Sequence, residues 1–402
     1  MIIVGAMKKK TKIPTTLEDN KTIEKVLVLQ GGGSLGAYEC GVFRILSENN
    51  IRFDIVAGTS IGAVNAAIIA SYRREKDPAK ELERFWIELS ERIIPMFPPY
   101  WSLYFTDEMR AILASMYSAI YGNPRAFSRH SDVFPFNLFP YRLPYPLFDT
   151  SPLKDTLEKY VDFSTLSVKD NTSQKIEHRP RLIVTSTDIQ TSQPVIFDSN
   201  TEFMDTNSVL ASVGFPFYGI SWTEKNGHYL WDGALLSNTP LREVMDASPK
   251  LDKEVYLVNI FPHFQKKLPS NMFEAWHRAR DIIYNDKTDN NIKVSTTNSE
   301  HLSLLKRMHD LLMKYDQEMK KSAEQYLSEN QNKLNIELTN LEGKYHEIIE
   351  KRGSIIKKIT RIDRPEIHPF LFEDADFSEM TIKKLIRQGE EDAKRAIKSD
   401  SQ

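Results

Sequence analysis

Residues 53–70 read Phe53-Asp54-Ile55-Val56-Ala57-Gly58-Thr59-Ser60-Ile61-Gly62-Ala63-Val64-Asn65-Ala66-Ala67-Ile68-Ile69-Ala70. An apolar run, a glycine-flanked turn and an alanine-rich run follow one another directly. Phe53 to Ala57 is expected as a buried strand, and Ile61 to about Arg74 as a helix. The same order occurs upstream: Val26-Leu27-Val28-Leu29 is a short apolar run leading to Gly31, after which Tyr38, Val42, Ile45 and Leu46 share one helical face. Downstream, Arg181 to Ser186, Pro194 to Asp198 and Val255 to Ile260 read as further strands. Strands alternating with helices predict an α/β fold with a mostly parallel sheet.

With 402 residues the chain is long enough for one large domain plus an extension, or for two domains. Its 41% hydrophobic and 27% charged residues are ordinary for a globular protein. The net charge of −2 offers nothing to attract a polyanion, so no nucleic-acid partner is expected. A single cysteine, Cys40, excludes an internal disulfide. None of the histidines stands in an HExxH context and there is no CxxC, so no metal site is legible. At the start, Met1 to Lys12 places its lysines after the apolar residues, the reverse of a secretory signal. The longest apolar run, Val56 to Ala70, is interrupted by Thr59, Ser60 and Asn65 and is too short to span a bilayer. The expectation is a cytoplasmic protein without a cleavable signal or transmembrane helix, with peripheral membrane contact as a further option.

Three segments flank or interrupt the α/β pattern. Residues 1–22 read as a tail; Lys8, Lys9, Lys10 and Lys12 suit either solvent or anionic lipid. Residues 95–152 are rich in proline and aromatics, with a helix-like piece from Asp107 to Tyr121, and read as a lid-like insertion. Its Trp101, Tyr104, Phe105, Phe134, Phe136 and Phe139 either line an apolar pocket or meet a bilayer, or simply pack the lid on the core. The main unit is then 23–265, and 266–402 is a mainly helical extension. There Leu304, Met308, Leu311, Tyr315 and Met319 recur at coiled-coil spacing, as do Leu334, Leu338, Leu341, Tyr345 and Ile348, with Ser328 to Lys333 between the two stretches. That spacing permits a homo-oligomer through these helices as well as packing within the chain.

Three motifs carry chemistry. Gln30-Gly31-Gly32-Gly33-Ser34-Leu35-Gly36 lies between strand and helix, where glycines let a ligand approach the backbone and the helix N-terminus favours negative charge. Such a loop suits a phosphate or an oxyanion. The dinucleotide reading needs an acid at the end of the second strand; Asp54 is in range but precedes Ile55. Gly58-Thr59-Ser60-Ile61-Gly62 is G-x-S-x-G in the strand–turn–helix context of a nucleophile elbow; a serine cap on the following helix is the plainer reading. A nucleophile needs a base, and His228 and His263 read as surface residues. Tyr229-Leu230-Trp231-Asp232-Gly233-Ala234 ends an apolar segment on an aspartate, which accepts a proton if partial burial keeps it basic; otherwise Asp-Gly is a turn.

In this order the three motifs resemble those of patatin-like phospholipases. Val209 to Pro216, Thr187-Asp188 and Pro194 to Phe197 resemble further segments of that family, so the likeness covers roughly residues 24–262. The resemblance implies a three-layer α/β/α fold and a serine–aspartate dyad, with Ser60 as nucleophile and Asp232 as base. It implies an oxyanion hole from the loop Gly31, Gly32, Gly33, Ser34 and Gly36, an elbow shaped by Gly58 and Gly62, and no metal or cofactor. The implied substrates are carboxylic esters of phospholipids or related lipids. Leu35 stands where the family usually carries lysine or arginine, and resembles a bacterial-type subgroup with a helical C-terminal extension. Gly214 stands where a larger residue is common. A dinucleotide-binding oxidoreductase and a non-catalytic membrane- or partner-binding scaffold are the competing classes.

Overall fold

Four consecutive residues from Val26 to Leu29 are fully buried, which requires a strand covered on both faces. In the computed structural model they belong to β1 (Glu24–Leu29), at the middle of an eight-stranded sheet. The structure describes residues 23–73, 75, 77–90, 106–129, 145–166, 179–322, 329–352, 354–365 and 373–400. The tail 1–22 with its four lysines lies outside the described residues, as do Pro95, Trp101, Tyr104, Phe105, Phe134, Phe136, Phe139 and Ser328.

Parallel to β1 run β2 (Ile55–Thr59) on one side and β9 (Lys253–Asn259) on the other. The parallel ladder continues from β2 to β5 (Arg181–Asp188) and from β9 to β10 (Ile356–Asp363). Antiparallel strands β6 (Pro194–Asp198) and β8 (His228–Asp232) pair with β5, and β7 (Thr223–Lys225) pairs with β8. The sheet is therefore mixed but mostly parallel, as expected. A separate short pair joins β3 (Ser128–Arg129) and β4 (Phe148–Asp149).

Alternation along the central strands sorts their side chains between two cores. Leu27, Leu29 and Val56 face one layer, formed by α1 (Gly36–Glu48), α2 (Ile61–Ala70), α3 (Pro78–Ser90) and α5 (Ser151–Tyr160). Val26, Val28, Ile55, Ala57 and Ile183 face the other, where Leu241 and Val244 of α7 (Leu241–Asp246) and Ile292 of α8 (Met272–Ser322) cover them. In addition, α4 (Asp107–Tyr121) matches the helix expected within the insertion, and α6 (Thr206–Leu210) precedes the β7–β8 hairpin.

Local boundaries differ from those expected in ways that have physical causes. The strand expected at 53–57 runs from Ile55 to Thr59, because Gly58 and Thr59 stay in the ladder opposite Val184 and Thr185 of β5. The following helix stops at Ala70 rather than Arg74. A second long helix, α9 (Glu329–Arg352), already includes Glu329 to Lys333, which the sequence placed between helices. Along α8 the heptad-spaced Leu304, Met308, Leu311 and Tyr315 remain exposed.

No strand was expected at 356–363, yet β10 forms one edge of the main sheet. Its Lys357, Lys358 and Arg361 break the apolar alternation, as an edge position allows. The final helix, α10 (Glu379–Asp400), lies against α1 with backbones in close approach. A Cβ on Gly41 would fall 1.8 Å from the Ile386 carbonyl oxygen, and one on Gly389 would fall 2.1 Å from that of Tyr38. The Tyr38 hydroxyl also donates to Asp392, 3.0 Å away. Replacing Gly41 by leucine should therefore force the two helices apart and destabilise the protein by at least about 1–3 kcal/mol, read as a lower urea midpoint. An unchanged midpoint would mean that α10 does not pack on α1 in this way.

Candidate active site

At the C-terminal end of β2 the chain turns sharply into α2, and Ser60 occupies the turn at φ 55° and ψ −127°. A side chain other than glycine at positive φ is sparsely tolerated and is held there by its surroundings. Here the turn closes so tightly that a Cβ on Gly58 would lie 2.2 Å from the Gly62 carbonyl oxygen. One on Gly62 would lie 2.6 Å from that of Gln30. The Ser60 N–H donates to the Ser212 hydroxyl (2.8 Å), which donates in turn to the Thr185 carbonyl (2.5 Å). The alternative of a simple serine cap lacks its defining bond, for the Ser60 side chain makes no capping hydrogen bond to α2.

The glycine loop lies at the same end of the sheet because β1 and β2 are parallel neighbours in register. Its anchor is Gln30, fully buried. The Gln30 amide donates to Thr239 and Thr288 (2.7 and 2.9 Å) and accepts from the Ile260 N–H (2.9 Å). The Gln30 backbone N–H donates to Glu39 (2.7 Å), whose other oxygen accepts from Asn65 of α2 (2.8 Å). Burial pushes the Glu39 carboxyl up to about 8, against the pull of these two donors. The loop and the elbow helix are thus tied by a buried polar network.

Beyond Gln30 the loop's donors divide. The Gly31 N–H donates to Asn238 (3.1 Å), and the Gly36 N–H closes the short 3-10 turn Gly33–Leu35. Both glycines were counted with the oxyanion loop from sequence, but their N–H groups have other partners. Leu35 is fully buried, so this position belongs to the core and not to the ligand. Asp54, required by the dinucleotide reading, lies before β2 at the opposite end of the sheet and accepts from the Lys25 N–H (2.8 Å).

Asp232 ends β8, antiparallel to β5 and opposite Ser186. One carboxylate oxygen accepts from the Ala234 N–H (2.8 Å), and the Ser60 side chain lies close enough to lower the pKa of this carboxyl. The residue is 1% exposed, and burial pushes its pKa up to about 7, partly opposed by Ser60 and the Ala234 N–H. Gly214, unexplained from sequence, stands where a Cβ would strike the Ser221 carbonyl at 2.4 Å. Its own carbonyl accepts from the Asp232 N–H (3.0 Å), so it helps set the aspartate's backbone.

Ser60, Asp232 and Gly31 to Gly33 open into one cavity of about 1060 Å³, open space at its mouth included. Its walls are largely apolar: Leu89, Phe127, Phe148, Leu153, Phe215 and Phe377 are among them. The described part of the insertion does supply wall, through Ser118, Ala119, Gly122 and Phe127. Among the described residues no histidine lines it. His228 is half-exposed and bonded to Asp188, and His263 sits beside Arg361.

The far wall had no local signal in the sequence. Arg280 and Tyr284 of α8 line the cavity together with Asp374 and Phe377. Arg280 pairs with Asp374 (2.7 Å) and Asp281 (3.0 Å), and Tyr218 donates to Asp374 (2.7 Å). Next to them, Arg364 pairs with Glu373 (2.8 Å), which also meets His277 (3.3 Å). The Ser34 hydroxyl donates to the Glu373 carbonyl (3.0 Å), so the C-terminal part of the chain braces the glycine loop. Arg280 thus reaches the cavity wall already paired with two carboxylates.

This architecture is a mixed α/β fold of the patatin type, with a mostly parallel sheet and C-terminal helices. The chain belongs to the patatin-like phospholipase family, whose sequence pattern matches residues 27–245. It is 35% identical over 81 residues to patatin-like phospholipase domain-containing protein 7 of Mus musculus, a match covering 19% of this chain and 6% of that protein. It is 42% identical over 67 residues to lysophospholipase nte1 of Aspergillus terreus, covering 15% of this chain and 4% of that one. The chain thus spans only a small fraction of these relatives. Among solved structures, VipD from Legionella pneumophila is similar at 14% identity and a TM-score of 0.37, covering 98% of this chain and 72% of that one. ExoU with SpcU from Pseudomonas aeruginosa is similar at 16% identity and a TM-score of 0.28, covering 67% and 52%. Among the described residues no helix is long and apolar enough to cross a membrane.

The raised Asp232 pKa has a consequence for stability. Its folded value lies above that of an unfolded aspartate, so burial is unopposed while the group is protonated, and a penalty grows as pH rises through about 7. Asp232→Asn should therefore stabilise the fold at pH 8 by about 2–4 kcal/mol, with the gain vanishing toward pH 4. Urea unfolding at both pH values checks this; an equal effect at both would place the carboxylate in a more solvated setting.

Proposed function

We propose that this chain is a lipid acyl hydrolase in which Ser60 attacks an ester carbonyl and Asp232 takes its proton. The observation that carries the reading is the buried Asp232 carboxyl beside Ser60, both lining one apolar cavity with no histidine among its described lining residues. A carboxylate raised to about 7 is a stronger base than an exposed one, which serine needs in the absence of imidazole.

In the first step the Ser60 oxygen adds to the carbonyl carbon and its proton passes to Asp232. The oxyanion is held by the N–H groups of Gly32, Gly33 and Ser34, supported by the positive end of α1. Collapse breaks the ester C–O bond, and Asp232 returns the proton to the departing alcohol, leaving an acyl-serine. Water, deprotonated by Asp232, then adds to the acyl carbon and releases the fatty acid.

The apolar cavity suits an acyl chain, and phospholipids, lysophospholipids or related lipid esters are the proposed substrates. Residues 23–265 form the proposed catalytic unit, with 95–152 as its lid and 266–402 as an extension that also walls the cavity. A neighbouring groove shares Phe215, Tyr218, Arg280 and Tyr284 with it and carries exposed Phe217, Trp276 and Ile283, which supports approach to a lipid surface. The exposed Leu304, Met308, Leu311 and Tyr315 of α8 support self-association.

Purified protein should hydrolyse a short-chain nitrophenyl ester and release fatty acid from mixed phospholipid vesicles. Ser60→Ala and Asp232→Asn should each lower turnover by about four to six orders of magnitude, because the pair acts as a unit. Only ionised Asp232 accepts the proton, so kcat/KM should rise with pH through about 7 and level above it. Full activity in folded Ser60→Ala, or inactivity of the wild type on every ester, would overturn the reading.

A further inference from the structure

On α8 and α9, outside the catalytic cavity, three metal-ligating side chains converge. His309 comes from α8; Glu342 and His346 come from α9, one turn apart and therefore on one face. One ligand atom from each lies within 4.8 Å of the other two. A zinc-class ion with bonds of about 2.0–2.1 Å would draw tetrahedral nitrogens to about 3.3 Å apart, an adjustment within reach of side-chain rotation.

A second observation singles out His309. Both its ring nitrogens are shielded from solvent and neither has a hydrogen-bond partner among the described residues; the nearest carboxylate, Asp310, stands 3.6 Å from Nδ1, beyond hydrogen-bond reach. Its ring is fixed by stacking on Tyr345, with centroids 3.9 Å apart and planes 6° off parallel, and it meets the His346 ring edge-on at 6.0 Å. A shielded imidazole with both nitrogens unsatisfied is costly unless something coordinates one of them. Glu342 and His346 are more open, at 43% and 65% side-chain exposure, which gives an ion a route of entry.

We infer that His309, Glu342 and His346 form a site for a borderline divalent transition ion of the zinc class, which clamps α8 to α9. Two imidazoles and one carboxylate favour zinc, cobalt or nickel over the oxygen-seeking magnesium and calcium. Three protein ligands leave a fourth position for water. At about 1.5 Å per residue, His309 stands roughly 44 Å along α8 from Arg280, so the clamp is separate from the cavity chemistry and does not depend on Ser60. It would act by fixing the geometry of the helical hairpin.

The test uses the full chain, stripped with EDTA and titrated with zinc chloride by calorimetry, and with cobalt chloride by visible absorption. One ion per chain should bind, with a cobalt band indicating nitrogen ligation. His346→Ala and Glu342→Gln should each weaken zinc binding by at least about 50-fold. Zinc should also slow backbone hydrogen exchange around residues 305–313 and 339–349 in the wild type and not in His346→Ala. His309→Ala should behave alike; if it fails to fold, the exposed His346 still decides. Binding unchanged in His346→Ala, binding without slower exchange in both helices, or no binding beyond millimolar affinity would each overturn the assignment.

Discussion

Between β2 and α2 there is no space for a side chain on either flank of Ser60: a Cβ on Gly58 would strike Gly62, and one on Gly62 would strike the end of β1. This close approach fixes the rest of the site. It bends the backbone so that Ser60 stands at positive φ with its side chain toward β8, where Asp232 waits. It sets the N-terminus of α2 against the start of the glycine loop, and Glu39 and Asn65 seal that contact with buried hydrogen bonds. The parallel pairing of β1 with β2 delivers both turns to one end of the sheet, where ligands of open α/β sheets bind.

The motifs of the candidate site were legible because each is local. Gly58 to Gly62 and Gln30 to Gly36 carry their turn chemistry within a few residues, and the apolar runs around them mark strand and helix directly. Asp232 was legible only through its place in a pattern, since Asp-Gly by itself marks a turn. What escaped was non-local. β10 is an edge strand with charged residues along it, so nothing in its own alternation announced that it would extend a parallel sheet. Arg280 and Asp374 lie 94 positions apart and Tyr218 earlier still, yet they meet at the cavity wall; their pairing depends on how the extension folds back. The roles of Asn238 and Ser212 lay within quoted segments, but only the fold shows that they hold Gly31 and Ser60.

Charge placement gives the site two contrasting walls. Asp232 is buried with the Ala234 N–H donating to it, Ser60 beside it and no cation in direct contact, and its pKa rises. Glu373 is equally buried but faces Arg364 and His277, and its carboxyl is held well below the ordinary range. The difference is the partner, not the depth. One carboxyl is kept basic, while the other is locked as part of a brace beneath the glycine loop. Leu35 lies inside the core, and the cation at the cavity wall, Arg280 of α8, is itself paired with Asp374 and Asp281.

The order of segments along the chain gives the closure of α10 over α1 a temporal meaning. During synthesis, Gly41 leaves the ribosome about 345 residues ahead of Ile386, the residue it will touch. At roughly 5–20 residues per second, the apolar face of α1 waits about 17–70 s for its cover, and the outer edge of β9, with β10 about 100 residues behind it, waits about 5–20 s. The nascent chain therefore passes through an aggregation-prone stage that invites chaperone binding. Its cavity also lacks Asp374 and Phe377 until well after Asp232 has been made, so the candidate site is completed by a segment that arrives long after its own motifs.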